Sequence, residues 1–430
     1  MTPGAISDRP VRRRGLLGNR NVTLIILARL FMSASRSLAG VVTPVYLALI
    51  GFSAFQLGEM AVAVGITTAV LSTVIGLTSD RTGRKPFLVA VPLLAVLAGA
   101  VFAMSRSPVV LVAAASIGSF GRGAGAGAGM VGPYQPAEQA LVTETTPAAR
   151  RNVVFGRLAF ASSVGALVGA PLAALADGAH AGGVAATAAF RAPFLATAVL
   201  ALVAGLLALG LIEPERPAVP VGVGRRPRFP RRSLPLLIRL WATNSMNGLA
   251  VGMFGPFVTY WFFRRYGVGP GQIGVLFAVI NAATAISTLS AAGLARRWGL
   301  VRTVTAVRIV QAVLLVPMVL APTFVFAGAI YLVRMVVQRI GMPLRQSYVL
   351  AMADPGERAA VGALSNLPSQ ATMAVAPVAA GYLFDEVSLS LPFLIAGALQ
   401  FVNAVMYWGF FHDMPPEEDI AARATPRPET

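Results

Sequence analysis

The sequence predicts an all-α membrane protein with twelve transmembrane helices, arranged as two similar six-helix bundles. Three observations predict this fold: an apolar composition, a series of long apolar runs, and motifs that recur between the two halves. Of the 430 residues, 56% are hydrophobic and 12% are charged, and the mean hydropathy is +0.72. A soluble domain carries about 25% charged residues. The composition therefore excludes an ordinary soluble enzyme, and the long apolar runs exclude a disordered chain.

The apolar runs have the length that a bilayer requires, since a spanning helix needs about 20 predominantly apolar residues. They are continuous, whereas strands of a transmembrane β-barrel alternate polar and apolar residues over about ten positions. The twelve predicted spans lie near residues 22–50, 55–78, 86–105, 108–132, 153–176, 192–212, 233–261, 271–294, 302–321, 323–345, 359–383 and 389–411.

The chain divides into five predicted parts. Residues 22–212 and 233–411 form the two six-helix bundles, and residues 213–232 form a linker rich in Pro, Gly and Arg. Residues 1–21 and 412–430 are tails. The first apolar run is too long for a cleaved signal peptide.

The net charge of +18 is distributed unevenly along the chain. Most arginines fall in the tails, the linker and the loops on the same side of the membrane. The loops of the opposite side hold only Arg106, Arg191, Arg264 and Arg265. Cytoplasmic loops are enriched in Lys and Arg, so we expect both termini to be cytoplasmic and the protein to lie in the inner membrane. The uneven distribution of positive charge therefore indicates the membrane topology, and no nucleic-acid partner is expected.

Short motifs recur in order in the two halves. The tripeptide QLG at 56–58 recurs as QIG at 272–274, an offset of 216 residues. The segment PAEQA at 136–140 aligns with PLRQS at 343–347, an offset of 207. Their common order predicts a duplication, and a substrate path between two repeated bundles is typical of secondary transporters.

The segment Gly76–Lys85 (GLTSDRTGRK) resembles the signature between the second and third helices of the major facilitator superfamily. The resemblance implies a transporter that works by alternating access and uses an ion gradient rather than ATP, and not an enzyme. It also implies that Asp80 latches the cytoplasmic side in the outward-open state, since a carboxylate there can accept charge-assisted hydrogen bonds. The gate residues expected from this motif are Asp80, Arg81, Gly83, Arg84 and Lys85.

The fifth span resembles the antiporter motif of the same superfamily in part. Gly156, Gly165 and Gly169 have its spacing, but Ala170 intervenes before Pro171. The resemblance favours antiport. Close helix packing through glycine explains the same residues, and both interpretations stay open.

Charged residues inside a membrane are costly and usually functional. Arg36 in the first span resembles the substrate-binding arginine of organic-phosphate exchangers, and Tyr46 lies further along the same span. The seventh span offers Asn244 and Asn247 rather than a second arginine, which argues against phosphate esters.

Further charges lie in other spans. Arg122 resembles an arginine of drug–proton antiporters that is linked to proton coupling, and Arg334 and Arg339 lie in the tenth span. We predict that Arg36, Arg122 and Arg334 line a common hydrated crevice. For Arg122, Arg334 and Arg339, structural pairing with carbonyl groups or with Glu59 is the alternative. Glu59 is interpreted as a proton carrier or as a solvated rim residue.

The repeat predicts one ion pair between the halves. Glu138 and Arg345 occupy equivalent positions at the offset of 207. A pseudo-twofold axis would bring them face to face at the cytoplasmic mouth, where they would form, or alternate in, a gate.

The sequence thus predicts a monomeric transporter of small organic solutes in the lipid bilayer, exporting them in exchange for protons. Transport of an organic anion is the first alternative, and a receptor or lipid transporter on the same fold is the second. No nucleotide-binding loop or metal cluster is found in the sequence, and lack of cysteine excludes thiolate zinc sites. We therefore expect no cofactor beyond the proton gradient.

Overall fold

The computed structural model describes residues 20–121, 132–147, 150–213, 230–287, 299–354 and 356–414, in which every regular element is a helix. The first half contains α1 (Arg20–Leu49), α2 (Ala54–Thr82), α3 (Lys85–Met104), α4 (Pro108–Gly118), α5 (Gln135–Thr145), α6 (Arg151–Gly169), α7 (Ala174–Ala181), α8 (Ala186–Ala189) and α9 (Arg191–Leu209). The second half contains α10 (Leu234–Phe254), α11 (Val258–Tyr266), α12 (Pro270–Ser287), α13 (Leu300–Val313), α14 (Leu315–Leu320), α15 (Phe324–Met352), α16 (Arg358–Leu364), α17 (Leu367–Glu386) and α18 (Leu391–Phe411).

Nine helical stretches of the described residues are long and apolar enough to cross a membrane. The other three expected spans are shorter or interrupted. Of the fourth, the structure describes α4, which ends at Gly118, whereas residues 122–131 lie outside the described ranges. The seventh is divided into α10 and α11, and the eleventh is α17 preceded by the short α16. The predicted all-α membrane fold is confirmed.

Two prolines interrupt spanning helices. Pro171 lies in a 3₁₀ turn, Ala170–Ala173, between α6 and α7, and Pro256 lies in a 3₁₀ turn, Gly255–Phe257, between α10 and α11. Proline has no amide hydrogen and its ring clashes with the preceding turn, so the chain tightens locally and then resumes the helix. Pro44, in contrast, is accommodated within the continuous α1.

Helices of the two halves pack in the same scheme. In the first half, α1 packs against α6 and α9, and α3 packs against α9. In the second half, α10 packs against α17 and α18, and α13 packs against α18. These are the equivalent spans of each bundle, as the repeat predicts. We call the end of the molecule where α9 ends and α10 begins the linker end, and the end where α1 turns into α2 the far end.

Two predicted packing glycines let α6 approach α1 closely. A side-chain carbon at Gly165 would collide with the Leu30 carbonyl oxygen, and one at Gly169 would collide with the Ala34 carbonyl oxygen. Gly156, the first glycine of the partial motif, faces open space. Helix packing therefore accounts for Gly165 and Gly169 directly.

Glu357 caps the first turn of α10 at the linker end. Its carboxylate accepts hydrogen bonds from the backbone amides of Arg232 at 3.2 Å and Ser233 at 2.8 Å. Desolvation alone would raise the pKa of Glu357, but the hydrogen bonds from Ser233 and Arg232 and the charge of Arg232 outweigh it and hold the pKa below its usual value.

We expect Glu357→Gln to lower the unfolding temperature at neutral pH, because the charged cap is lost. A carboxylate with a lowered pKa stabilises the folded state above its unfolded pKa, and this contribution disappears as the pH falls through the folded pKa. The difference between wild type and variant should therefore shrink below about pH 4. Thermal unfolding across this range, with the exposed Glu386→Gln as control, measures it. A difference that does not change with pH would contradict a charge-dependent cap.

Candidate functional site

Two arginines of α1 and two residues near α5 form a buried polar cluster in the first half. Arg29 binds Glu138 through both nitrogens of its fork, with Nε 2.9 Å from Oε1 and Nη2 paired with Oε2. Arg29 is 7% exposed and Glu138 is 2% exposed. The ring of Tyr134 lies between Arg29 and Arg36, whose guanidinium carbons are 5.7 and 5.2 Å from its centre. Two α1 residues seven positions apart share one helix face, which explains the arrangement.

Arg29 and Glu138 also line a cavity of about 310 Å³ among α1, α3, α5 and α9. The other lining residues are apolar or aromatic and include Met32, Leu88 and Pro92. The ion pair neutralises this cavity, because it contributes one positive and one negative charge.

A second cavity, of about 470 Å³, lies among α10, α13, α15 and α18. Its polar lining residues are Asn247, Arg308, Gln311, Gln338, Arg345 and Gln400. Among the described lining residues there are two arginines and no carboxylate.

Both arginines of the second cavity contact neutral groups. Arg308 Nη1 donates to Asn403 Oδ1 at 2.8 Å, and its guanidinium carbon lies 4.3 Å from the ring centre of Tyr407. Arg345 donates to Asn244 Oδ1 at 2.7 Å and to Asn366 Oδ1 at 3.0 Å.

The two cavities are equivalent in the repeat. The offset of 216 carries Leu88 to Val304 and Pro92 to Arg308, and all four residues line a cavity. The offset of 207 carries Tyr134 to Gly341 and Glu138 to Arg345, which again line the two cavities.

The remaining predicted substrate residues of the second half occupy several environments. Asn244 is 1% exposed and donates to the Ser365 carbonyl oxygen at 2.6 Å, while Asn247 faces the cavity. Arg334 is 1% exposed, lies 4.2 Å above the ring centre of Phe254, and donates to the Gln311 carbonyl oxygen at 3.3 Å. Arg339 is half-buried.

Arg36 and Arg334 lie against different aromatic rings, each in its own half. Each guanidinium is buried against an aromatic ring of its own half, and neither lines the two cavities described above. Ser35 and Ser37, which flank Arg36, donate to carbonyl oxygens of neighbouring helices at 2.9 and 3.1 Å, so they do not form a hydrated wall. Arg122 lies outside the described residues.

Two other predicted coupling residues lie towards the far end. Tyr46 is 3% exposed and packs edge-on against Phe194, with ring centres 5.2 Å apart, so it belongs to an aromatic cluster rather than to the surroundings of Arg36. Glu59, near the start of α2, is exposed. This exposure agrees with the interpretation of Glu59 as a rim residue.

The signature segment forms a tight turn between α2 and α3 at the linker end. Gly83 ends α2 with a φ of 112°, a conformation that favours glycine. Arg84 is 8% exposed and its Nη2 lies 2.6 Å from Glu144 Oε1 at the end of α5. Glu213 accepts from the backbone amides of Arg84 and Lys85 and so caps α3.

Two further members of the predicted linker-end gate, Asp80 and Arg81, lie near the end of α2. Arg81 is exposed, and the Asp80 side chain lies outside the described part of the structure. Glu138 and Arg345 do not pair in this structure: Glu138 binds Arg29 of its own half, and Arg345 binds asparagines of its own half.

The halves meet at the far end through two carboxylates that the sequence did not single out. Asp385 of α17 accepts from the backbone amides of Ala54 and Phe55 at 2.9 and 2.7 Å, and so caps α2 of the other half. Asp177 of α7 accepts from the amide of Gly271 at 2.8 Å and caps α12 of the other half. An aspartate is well suited to a helix N-terminus, whose first amides lack partners.

These two caps are copies of each other. Phe55 and Gly271 are related by the offset of 216, and Asp177 and Asp385 by an offset of 208. Beside each cap a glycine lies against the backbone of the other half. Gly58 faces the Pro377 carbonyl oxygen, and Gly274 faces the Ala170 carbonyl oxygen. We call these paired contacts the far-end fasteners.

Comparison with known proteins agrees with this architecture. The sequence model of the Major Facilitator Superfamily matches residues 25–241 and 240–428. Multidrug resistance protein 1 of Bacillus subtilis (strain 168) is 24% identical over 384 residues, which cover 88% of this chain and 93% of that protein.

Solved structures share the fold at low sequence identity. A mutant of the nucleoside transporter NupG superimposes with a TM-score of 0.72 at 12% identity, covering 91% of this chain and 100% of that one. A bacterial homologue of the iron transporter ferroportin, in an inward-facing state, has a TM-score of 0.71 at 18% identity, covering 92% and 99%. The chain is therefore a membrane-embedded, multi-pass member of the Major Facilitator Superfamily, a transporter of small solutes.

Proposed function

We propose that this protein is a secondary transporter that moves a small organic solute by alternating access and exports it in exchange for protons. The far-end fasteners carry the alternating-access part of the proposal. They join the halves through backbone groups and two carboxylates, while each half keeps its own packed helices. Two rigid bundles held in this way can tilt about their interface without unfolding.

Efflux and proton exchange rest on further observations. The similarity to a multidrug resistance protein and the partial glycine motif of the fifth span favour export. Glu138 is the one carboxylate that is less than a tenth exposed in the described part of the chain. Proton binding there would release Arg29, so Glu138 is a better candidate than Glu59 for the coupling carboxylate.

Organic-anion transport is the second candidate, and the buried charges favour it. Five arginines of the described chain are less than a tenth exposed, against the single buried Glu138; they are Arg29, Arg36, Arg84, Arg308 and Arg334. Arg84 lies in the turn between α2 and α3, and the other four lie within spanning helices. A membrane interior with this excess of positive charge favours an anionic solute.

Liposomes that contain the purified protein and a trapped pH indicator test the proposal. With a pH gradient imposed, we expect a transported solute to dissipate the gradient faster than it does in protein-free liposomes. The solutes to be compared are lipophilic cations and small carboxylates. Dissipation only by carboxylates would favour the second candidate. Saturable binding without solute or proton movement would instead support a receptor on this fold.

A further inference from the structure

The cavity of the second half is a positively charged counterpart of a neutral cavity. In the first half, Glu138 neutralises Arg29 within the cavity. In the second half the equivalent of Glu138 is Arg345, and the equivalent of Pro92 is Arg308. The duplication has therefore exchanged the carboxylate for a second guanidinium and has added no acid among the described lining residues.

Two guanidiniums without a carboxylate are an unfavourable arrangement in a low-dielectric site. Arg308 is 5% exposed, and both arginines face the same cavity. Neutral asparagine oxygens satisfy some of their hydrogen atoms, but they do not compensate the two positive charges. Isolated charges are costly to bury unless they are paired.

Gln400 supplies an independent observation at the same cavity. It is 3% exposed and lines the cavity, and its Oε1 has no hydrogen-bond partner in the described part of the structure. Further along the same face of α18, Asn403 Nδ2 and Tyr407 Oη are buried without partners among the described residues. Buried polar groups are normally satisfied, so the cavity has a capacity for hydrogen bonding that the protein itself does not use.

We propose that the cavity among α10, α13, α15 and α18 binds an oxyanion, the carboxylate or phosphate group of a small molecule, between Arg308 and Arg345. Planar guanidinium groups bind carboxylates and phosphates through paired, charge-assisted hydrogen bonds. The bound anion supplies the negative charge that Glu138 supplies in the first half. Gln400 and Asn247 face the remainder of the ligand and accept or donate hydrogen bonds to its polar substituents.

The position of the site indicates its entrance. Arg308 is eight residues from the start of α13 at the linker end, a distance of about 12 Å along the helix. Arg345 lies in the last two turns of α15, which ends at the same side. The ligand therefore enters from the linker end. The proposal concerns binding, and it holds whether or not the anion is itself carried across the membrane.

Thermal unfolding and calorimetric titration of the purified, full-length protein test the site. The probes are inorganic phosphate and succinate, with tetraethylammonium as a cationic control. We expect both anions to raise the unfolding temperature of the wild type. Arg308→Gln and Arg345→Gln should each weaken anion binding about tenfold or more, since each removes a charged hydrogen-bond donor. Arg302→Gln, which removes the same charge from an exposed position of α13, should bind as the wild type does.

Arg345→Glu places a carboxylate at the position equivalent to Glu138 and keeps the proposal testable if a neutral variant folds poorly. Its carboxylate should pair with Arg308, raise the unfolding temperature without ligand, and abolish the anion-dependent increase. The proposal is overturned if neither anion binds the wild type, or if Arg345→Gln and Arg345→Glu both bind anions as the wild type does.

Nanodiscs distinguish a soluble ligand from a lipid headgroup. If anionic phosphatidylglycerol raises the unfolding temperature relative to phosphatidylcholine, and Arg345→Gln removes this effect, the oxyanion site is supported with a lipid phosphate as its occupant. If soluble anions act equally in both lipids, the site is supported with a free solute as its occupant.

Discussion

Removing either partner of the Arg29–Glu138 pair is expected to destabilise the protein by about 3–5 kcal/mol. Both side chains are less than a tenth exposed, and they are joined by two parallel hydrogen bonds. In Glu138→Met the guanidinium stays buried without its carboxylate, and in Arg29→Met the carboxylate stays buried without its guanidinium. Equilibrium unfolding in mixed micelles measures the loss.

The double variant Arg29→Met with Glu138→Met should regain most of this stability, because no uncompensated charge remains. The matched control is Arg84→Gln. Its partner Glu144 is 38% exposed, and an ion pair that water reaches contributes about 1 kcal/mol or less. Two results would contradict this account of the buried ion pair. In the first, Glu138→Met lowers the free energy of unfolding no more than Arg84→Gln does. In the second, the double variant is less stable than both single variants.

Loss of both far-end fasteners is expected to shift the molecule towards a state that is open at the far end. Replacing an aspartate that caps a helix by alanine costs about 1 kcal/mol. Asp177 and Asp385 cap different helices, so their effects should add to about 2 kcal/mol, a roughly 30-fold shift in the ratio of the two states. The single variants Asp177→Ala and Asp385→Ala should each shift the ratio of the two states by about a fifth of that 30-fold factor.

A single cysteine reports this opening, because the natural chain contains none. Ala173 is fully buried beside Gly274 of the other half, so Ala173→Cys places a thiol in the contact. We expect maleimide to label it about 30-fold faster in the double variant. Glu386→Ala, which removes the neighbouring carboxylate of α17, should leave the rate unchanged. Equal labelling in all variants would show that the caps do not hold the far end closed.

The fold was predictable because it depends on coarse properties of the sequence. Runs of about 20 apolar residues specify spanning helices whatever their exact neighbours, and the recurrent QLG and QIG motifs revealed the duplication. Close helix packing at Gly165 and Gly169 was also predictable, since small residues spaced along one face favour it, but the partner helix α1 was not. The exact interruptions at Pro171 and Pro256 were not, because proline in a membrane helix is sometimes accommodated, as Pro44 is.

The candidate site was predictable only in part, because the partner of a charge is a matter of tertiary structure. The sequence identified Glu138 and Arg345 as equivalent, but it could not show that each would bind within its own half. Arg308 was missed although a lone charge inside the ninth span was a visible signal. Asp177 and Asp385 were missed because an aspartate near a helix end resembles an ordinary loop residue until the other half is positioned beside it.

The two far-end fasteners also restrict how the halves can move. A rigid body that is held at two separate points is free to turn only about the line that joins them. For this molecule that line passes through the first turns of α2 and α12. While both fasteners hold, the motion left to the two halves is a hinge that widens or narrows the space between them at the linker end.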